Sequence, residues 1–250
     1  MKISIVTITY NAARSVQRTL DSVATQTWPS IEHLIIDGAS TDDTLLLVRR
    51  YQATSPHEVI VRSEPDRGLY DAMNKGLRQT TGDYVVFLNA GDALASADTL
   101  STVASLAVDQ RPAVIYGDTN ITDSDGHVLR PRRLRPPQQL TWRSFRQGML
   151  VCHQAFYVRR DIAQHTGYDL RYRHSADVDW CIRVMKEAQR QAMPLVNAHC
   201  VLALFEEGGD TTQHHRDSLW ERFDVMRRHY GLLTTVGMHL WFVLRAVIKR

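Results

Sequence analysis

The chain has 250 residues, enough for one large α/β domain or for a domain with a C-terminal extension. A hydrophobic share of 44% supports a packed core, and a net charge of +3 is too mild to argue for nucleic acid as a partner. The three cysteines, Cys152, Cys181 and Cys200, are widely spaced with no C-x-x-C pair, which excludes a disulfide frame or a zinc site and points to a reducing compartment.

Met1-Lys2-Ile3-Ser4-Ile5-Val6 enters a strand directly, without the apolar run and cleavage site of a secretory leader. The β-branched run Ile3–Thr9 reads as a buried first strand. Tyr10-Asn11-Ala12 turns the chain. Residues 15–26 have helical spacing, with Val16, Leu20 and Val23 facing inward. A short strand at residues 34–36 closes on Asp37-Gly38-Ala39-Ser40-Thr41-Asp42-Asp43, where Ser40 or Thr41 is expected to cap a helix continuing to Tyr51. Residues 59–61 form a third strand and residues 70–79 a helix. Gly82-Asp83-Tyr84-Val85-Val86-Phe87-Leu88-Asn89-Ala90-Gly91-Asp92 reads as a strand buried on both faces that ends abruptly in a polar turn. A helix over 97–108 and a strand over 114–116 follow.

This alternation implies an α/β fold with a right-handed, mostly parallel sheet flanked by helices. Beyond it, Ser124-Asp125-Gly126 marks a hairpin turn. Residues 130–147, with three prolines and six arginines, read as an irregular loop. A strand over 155–158, a helix over 177–186 and a strand over 196–205 come next, and residues 214–250 read as helical.

Three strands of the first half end in polar turns, at Thr9-Tyr10-Asn11, Asp37-Gly38-Ala39-Ser40 and Asn89-Ala90-Gly91-Asp92. In a parallel sheet such ends share one edge, where ligands bind. None carries a dinucleotide or P-loop glycine pattern, which argues against those two classes. Read without further context, Asp37, Ser40, Asp92 and Asp177 are equally helix-capping residues.

Several stretches together resemble family 2 glycosyltransferases. They are Ile5-Val6-Thr7-Ile8-Thr9-Tyr10-Asn11, Thr19-Leu20-Asp21-Ser22-Val23-Ala24-Thr25-Gln26-Thr27 and Ile36-Asp37-Gly38-Ala39-Ser40-Thr41-Asp42-Asp43-Thr44. Glu64-Pro65-Asp66-Arg67-Gly68-Leu69-Tyr70-Asp71-Ala72-Met73-Asn74-Lys75-Gly76 and Phe87-Leu88-Asn89-Ala90-Gly91-Asp92 are similar to the branch that builds bacterial exopolysaccharides, colanic-acid-type enzymes included. The resemblance implies a GT-A fold, a nucleotide-sugar donor and inversion at the anomeric carbon. It implies a GT-A domain over 1–212, with a nucleotide-sugar-binding half at 1–118 and an acceptor half at 119–212, followed by a helical extension at 213–250. It also implies donor contacts from Thr9, Asn11, Asp37, Ser40, Asp71, Lys75 and Asn89, and a divalent metal, Mn²⁺ or Mg²⁺, on Asp92. Tyr172-Arg173-His174-Ser175-Ala176-Asp177-Val178-Asp179-Trp180 resembles the family's Glu-Asp-x-Asp stretch and implies Asp177 as the catalytic base. His153 and Gln154 resemble an acceptor-lining His-Gln, and Glu207-Gly208-Gly209-Asp210-Thr211-Thr212 a loop able to close over the pyrophosphate. His214 and His215 follow that loop. The chain departs from the pattern at Gly38, Asn89, Gly91 and Ala176, where acidic residues are usual.

Residues 232–250 are apolar with a Trp, interrupted by His239 and Arg245, and basic at the end. The segment falls short of the ~20 apolar residues a spanning helix needs, so an interfacial helix on the inner face of the cell membrane is expected. A helix packed on its own core or on a second copy is the alternative. With Arg130, Arg132, Arg133, Arg135, Arg143 and Arg146 nearby in sequence, a lipid-linked glycan acceptor is expected, in preference to nucleic acid. The resulting expectation is a cytoplasmic, membrane-peripheral glycosyltransferase of cell-surface polysaccharide synthesis that prefers a UDP-sugar over a GDP-sugar. A non-catalytic sugar-nucleotide-binding module is the second reading, motivated by the four replaced acidic residues.

Overall fold

The computed structural model describes residues 1–208 and 215–248. Its elements, in order, are β1 (Ile3–Thr9), α1 (Val16–Ala24), β2 (Ile31–Asp37), α2 (Thr44–Thr54), β3 (Glu58–Ser63), α3 (Leu69–Gln79), β4 (Tyr84–Phe87), β5 (Ala93–Leu94) and α4 (Thr99–Gln110). They continue with β6 (Val114–Thr122), β7 (Val128–Pro131), β8 (Phe156–Arg159), α5 (Arg160–His165), α6 (Ala176–Arg190), β9 (Leu195–Glu206), α7 (His215–Tyr230) and α8 (Leu232–Ile248). Short 3-10 turns occupy Trp142–Gln147 and His153–Ala155.

One nine-stranded sheet runs in the order β3-β2-β1-β4-β8-β6-β9-β5, with β7 paired to β6. The β3-β2-β1-β4 half is parallel, as the alternation predicts. Past β4 the sheet is mixed. β8 is antiparallel to both β4 and β6, and β6 is parallel to β9, so six strands (β1, β2, β3, β4, β6 and β9) share one direction. β5 and β7 pair antiparallel to their neighbours. The strand read within Gly82–Asp92 ends at Phe87, where its ladder with β1 closes at Val6, just short of the polar turn that starts at Asn89. The sequence reading missed β5 and α5; both are too short for a hydrophobic period to register.

Alternation inside β1 explains why the sheet takes helices on both faces. Ile3 and Ile5 join a core with Val86, Leu88, Leu100 and Val103, whereas Val6 and Ile8 join one with Tyr70, Met73, Leu77 and Trp180. A third core sets α1 and α2 against Ile35 and Val61.

The shared strand direction gathers the functional candidates at one edge. Thr9, Asp37 and Ser63 end neighbouring strands in register, Thr9 beside Asp37 and Asp37 beside Ser63. Asn89 follows β4 and Glu206 ends β9. Asp92 precedes antiparallel β5, and His153 and Gln154 precede antiparallel β8, which brings their leading ends to the same edge.

The opposite edge is structural. Glu32 on β2 is fully buried. It accepts from Gly82 N–H at 3.0 Å and from Lys2 Nζ at 2.9 Å, and also from Ser4 Oγ and from the backbone and side chain of Thr81.

The C-terminal part divides in two. α7 is packed: Val225 and Met226 are buried, Glu221 accepts from the Arg173 and His174 backbones at 2.8 Å, and His229 meets Asp179 at 2.8 Å. α8 buries Thr235 but exposes Leu233 (90%), Leu240 (66%) and Trp241 (51%). No helix among the described residues is long and apolar enough to cross a membrane. His214 and most of the glycine loop, residues 209–212, lie outside the described residues.

Candidate active site

The corner where β1, β2 and β3 end is a closed hydrogen-bond cluster. Asp37, fully buried, accepts from Thr9 Oγ1 at 2.9 Å, Ser40 N–H at 2.9 Å, Ser63 Oγ at 2.8 Å and Ser40 Oγ. A carboxylate offers about four lone-pair positions, so these donors engage it fully. Asn11, in the left-handed region at φ 47, donates its N–H to Ser40 Oγ at 2.8 Å and accepts from Thr41 N–H at 2.9 Å. The structure therefore brings Thr9, Asn11, Asp37 and Ser40 together. It departs from the expected cap: α2 starts at Thr44 behind Asp43, with no side-chain cap hydrogen bond, because the Ser40 hydroxyl is held by Asp37.

Asp71 and Lys75 do not pair with each other. Asp71 accepts from Arg67 Nη2 at 3.0 Å and Arg67 N–H at 3.1 Å, and the Arg67 contact holds its carboxyl below the usual range against the opposing effect of burial. Lys75 Nζ reaches Pro65 O at 2.7 Å and Glu64 at 2.8 Å. Both residues pin the 64–68 loop that follows β3.

The turn after β4 is built around Asp92. Its carboxylate is buried, accepting from Gln154 Nε2 at 2.6 Å and Glu206 N–H at 3.1 Å, and burial pushes its carboxyl up to about 6. Thr19, fully buried on α1, fixes the turn backbone by donating to Asp92 O at 2.6 Å and accepting from Gly91 N–H at 3.0 Å. Gly91 has φ +99, and a Cβ there would lie 2.5 Å from Glu206 Oε2. The Glu206 carboxylate thus stands over the glycine where an acidic side chain is usual. The sequence reading missed Glu206, which lies 115 positions further along the chain. Gly91 was its one visible trace.

These groups fit a hard divalent cation. Asn89 Oδ1 and Gln154 Oε1 are buried without a partner among the described residues, and the Glu206 carboxylate makes no hydrogen bond there. Together with Asp92 they form an all-oxygen donor set of the kind Mg²⁺ and Mn²⁺ take. Elsewhere, Asp123, Asp125 and His127 group on the exposed β6–β7 turn, where Asp123 accepts from the Asp125 and His127 backbones as an ordinary turn residue.

Asp177 sits in the first turn of α6. Tyr70 OH donates to its Oδ1 at 3.1 Å, and His153 Nδ1 lies 3.4 Å from its Oδ2. The other ring nitrogen of His153 is 3.3 Å from Asn89 Nδ2. An amide N–H needs an acceptor, so Nε2 carries the lone pair and Nδ1 the proton, aimed at Asp177. Asn89, His153 and Asp177 thus form one line from the Asp92 turn to the base candidate. Burial raises the Asp177 carboxyl, but the His153 contact, the Arg222 charge and the Val178 N–H together outweigh it and hold the group below the usual carboxylate range, hence ionised at neutral pH. Tyr70 lies on α3 at helical spacing with Met73 and Leu77, both in the core. It is buried and stacked on Tyr168 at 5.4 Å, and that stack aims its hydroxyl.

The arginine loop is less free than its composition suggests. Arg132 donates to Met149 O at 2.8 Å, Arg135 pairs with Asp118 at 2.9 Å, Arg130 pairs with Glu207, and Arg143 lies 4.5 Å over the Trp142 ring.

Residues 4–167 match the model of Glycosyl transferase family 2. The PGL/p-HBAD biosynthesis glycosyltransferase of Mycobacterium tuberculosis is 34% identical over 252 residues, covering 99% of this chain and 94% of that protein. The amylovoran biosynthesis glycosyltransferase AmsB of Erwinia amylovora is 30% identical over 214 residues, covering 79% of this chain and 69% of that protein. Among solved structures, S. aureus TarS 1-349 in complex with UDP-GlcNAc superposes with a TM-score of 0.72 at 18% identity, over 91% of this chain and 65% of that one. The mannosyltransferase PcManGT from Pyrobaculum calidifontis, in complex with GDP-Man and Mn²⁺, gives 0.68 at 18%, over 96% of this chain and 70% of that one. At such identities the structural likeness speaks for the fold.

Proposed function

The chain belongs to glycosyl transferase family 2 and is a glycosyltransferase, and from that premise we propose that it moves a sugar, with inversion, from a nucleotide-sugar donor to a lipid-linked saccharide at the inner membrane face. The observation that carries the reading is the Asn89–His153–Asp177 line, which joins the turn suited to the donor diphosphate to an ionised carboxylate suited to an acceptor hydroxyl.

Asp177 takes the proton from the attacking hydroxyl. The acceptor oxygen bonds to the anomeric carbon as the bond to the diphosphate oxygen breaks on the opposite face. Tyr70 and His153 hold the carboxylate in orientation and keep it ionised. Asp92 and Glu206, with Asn89 and Gln154, would hold a divalent cation, which when bound would supply positive charge against the leaving diphosphate. Thr9, Asn11, Asp37 and Ser40 shape the nucleoside corner. Asp71 and Lys75 act on the donor through the loop they pin. A UDP-sugar is favoured over a GDP-sugar. The test is release of nucleoside diphosphate by the purified protein from a panel of UDP- and GDP-sugars with Mn²⁺ and a lipid-linked acceptor. Donor cleavage in no case, despite donor binding, would favour the non-catalytic module.

Asp92→Asn is expected to abolish stabilisation by Mn²⁺. A wild-type thermal midpoint that rises with Mn²⁺ and UDP, against no rise in the variant, is the measurement. An unchanged rise removes Asp92 from the cation site.

For the tail, exposed Leu233, Val236, Leu240 and Leu244 recur at helical spacing on α8 beside Trp241, a face suited to a bilayer interface. The wild type is expected to sediment with vesicles containing anionic lipid, and Leu233→Glu with Leu240→Glu to lose most of that binding. Equal sedimentation of both proteins, or a dimer in light scattering that the pair of substitutions splits, assigns the face to protein instead.

A further inference from the structure

The nucleoside corner lacks a carboxylate at Gly38, and Asp37 beside it is fully engaged by its four protein donors. Neither position offers an acceptor to a base. A third residue does. A Cβ built on Gly38 would lie 2.6 Å from Asp66 Oδ2 and 3.3 Å from the Tyr10 ring. The Asp66 carboxylate, arriving from the loop after β3, therefore occupies the space above Gly38, next to an aromatic ring that is 66% exposed. Its other oxygen, Oδ1, accepts from Gly68 N–H at 2.8 Å, whereas Oδ2 has no partner among the described residues. The loop is held on both sides, by Lys75 on Pro65 O and by Asp71 on Arg67, so Asp66 is positioned before any ligand arrives.

We propose that Asp66 reads the nucleobase of the donor, its free Oδ2 accepting the ring N3–H of uracil while Tyr10 supplies a face for stacking. The proposal rests on the donor-binding reading above and names the residue that sets its base preference. A single free carboxylate oxygen matches the single ring N–H of uracil. Cytosine and adenine present a ring-nitrogen lone pair at the corresponding edge, which a carboxylate repels. Guanine presents two adjacent N–H groups, which are best met by two free oxygens side by side, whereas Oδ1 is already turned to the Gly68 N–H. The glycine at 38 is what lets the carboxylate come this close.

Calorimetric titration of the wild type, Asp66→Asn and Asp66→Ala with UDP, CDP and GDP tests this. The wild type is expected to bind UDP at least tenfold more tightly than CDP or GDP. Asp66→Ala is expected to lose about tenfold on UDP with CDP affinity kept, collapsing the preference, since a hydrogen-bonding site discriminates by the partner it leaves unpaired. Asp66→Asn, which offers an amide N–H to the cytosine N3, is expected to gain on CDP. Retained CDP binding also reports that the variants are folded. A wild-type UDP preference that survives in Asp66→Ala overturns the assignment, as does wild-type preference for GDP. A wild type that binds none of the three overturns the donor-binding reading itself.

Discussion

Asp177→Asn is expected to lower the rate of sugar transfer by about a thousandfold while UDP affinity stays within about twofold, because it removes the proton acceptor and keeps its shape. The amide oxygen of Asn still accepts from Tyr70 and from the Val178 N–H, which keeps the N-terminal turn of α6 in place, whereas its NH2 faces His153 Nδ1 and that contact is given up. The loss belongs in kcat. Two companion variants separate the base from its support. Tyr70→Phe removes one hydrogen bond to the carboxylate and is expected to cost about tenfold in kcat. His153→Ala removes one of the contacts that hold the carboxyl down, beside Arg222 and the Val178 N–H, so the acid limb of the pH–rate profile should move to higher pH. A variant Asp177→Asn that keeps more than a tenth of wild-type turnover would remove Asp177 from the role of base.

The largest expected effect on stability lies at the other edge of the sheet. Glu32→Gln should destabilise the fold by about 3 kcal/mol, since it removes the buried charge that Lys2 meets, leaving Lys2 only its exposed partner Glu58 and Thr81, and forces an amide N–H among groups that all donate. Burial favours the protonated form of Glu32, but hydrogen bonds from Ser4, Thr81 and Lys2 outweigh it and hold the carboxyl down at about 2, against an ordinary value of 4.5. The folded state thus binds the proton less readily than the unfolded chain. The resulting stability is fully present above the ordinary value and is lost as pH falls towards the folded one. A gap of that size corresponds to about 3 kcal/mol. Urea unfolding at pH 7 and at pH 3 measures it. The wild type should weaken on acidification, and Glu32→Gln should show a shallower dependence together with wild-type UDP affinity. An unchanged denaturation midpoint would show the cluster to be energetically neutral.

Much of this site was legible in the sequence because it lies at strand ends. A buried strand announces itself by its apolar run, and the polar residues that stop it mark the edge. Thr9, Asp37, Asn89 and Asp92 were all visible in that way. Asp177 was legible as an acidic residue in a first turn, and its pairing with His153 was not, since 24 positions and a reversed strand separate them. The direction of β8 decides that pairing. Had it run parallel to β4, His153 would lie at the structural edge with Glu32. What sequence reading could not supply was proximity across the sheet: Glu206 over Gly91 and Asp66 over Gly38 come from loops remote in the chain. The opposite error occurred at the arginine loop, where composition suggested an open basic patch and several guanidinium groups instead hold carbonyls and carboxylates of their own fold.

The division of the sheet into a working edge and a structural edge also tells an engineer where this chain can be cut. The connections at the far edge include the one between α2 and β3, at Ser55-Pro56-His57, and the one between α6 and β9, at Gln191–Pro194. Ser55 and Gln191 close the helices they follow, their side chains bond to the nearby residues His57 and Glu187, and Gln191, Ala192 and Met193 are mostly exposed. An epitope tag, a fluorescent reporter or new chain termini placed there would leave every ligand-facing loop continuous, whereas the same insertion between Glu64 and Gly68 would displace the carboxylate above Gly38.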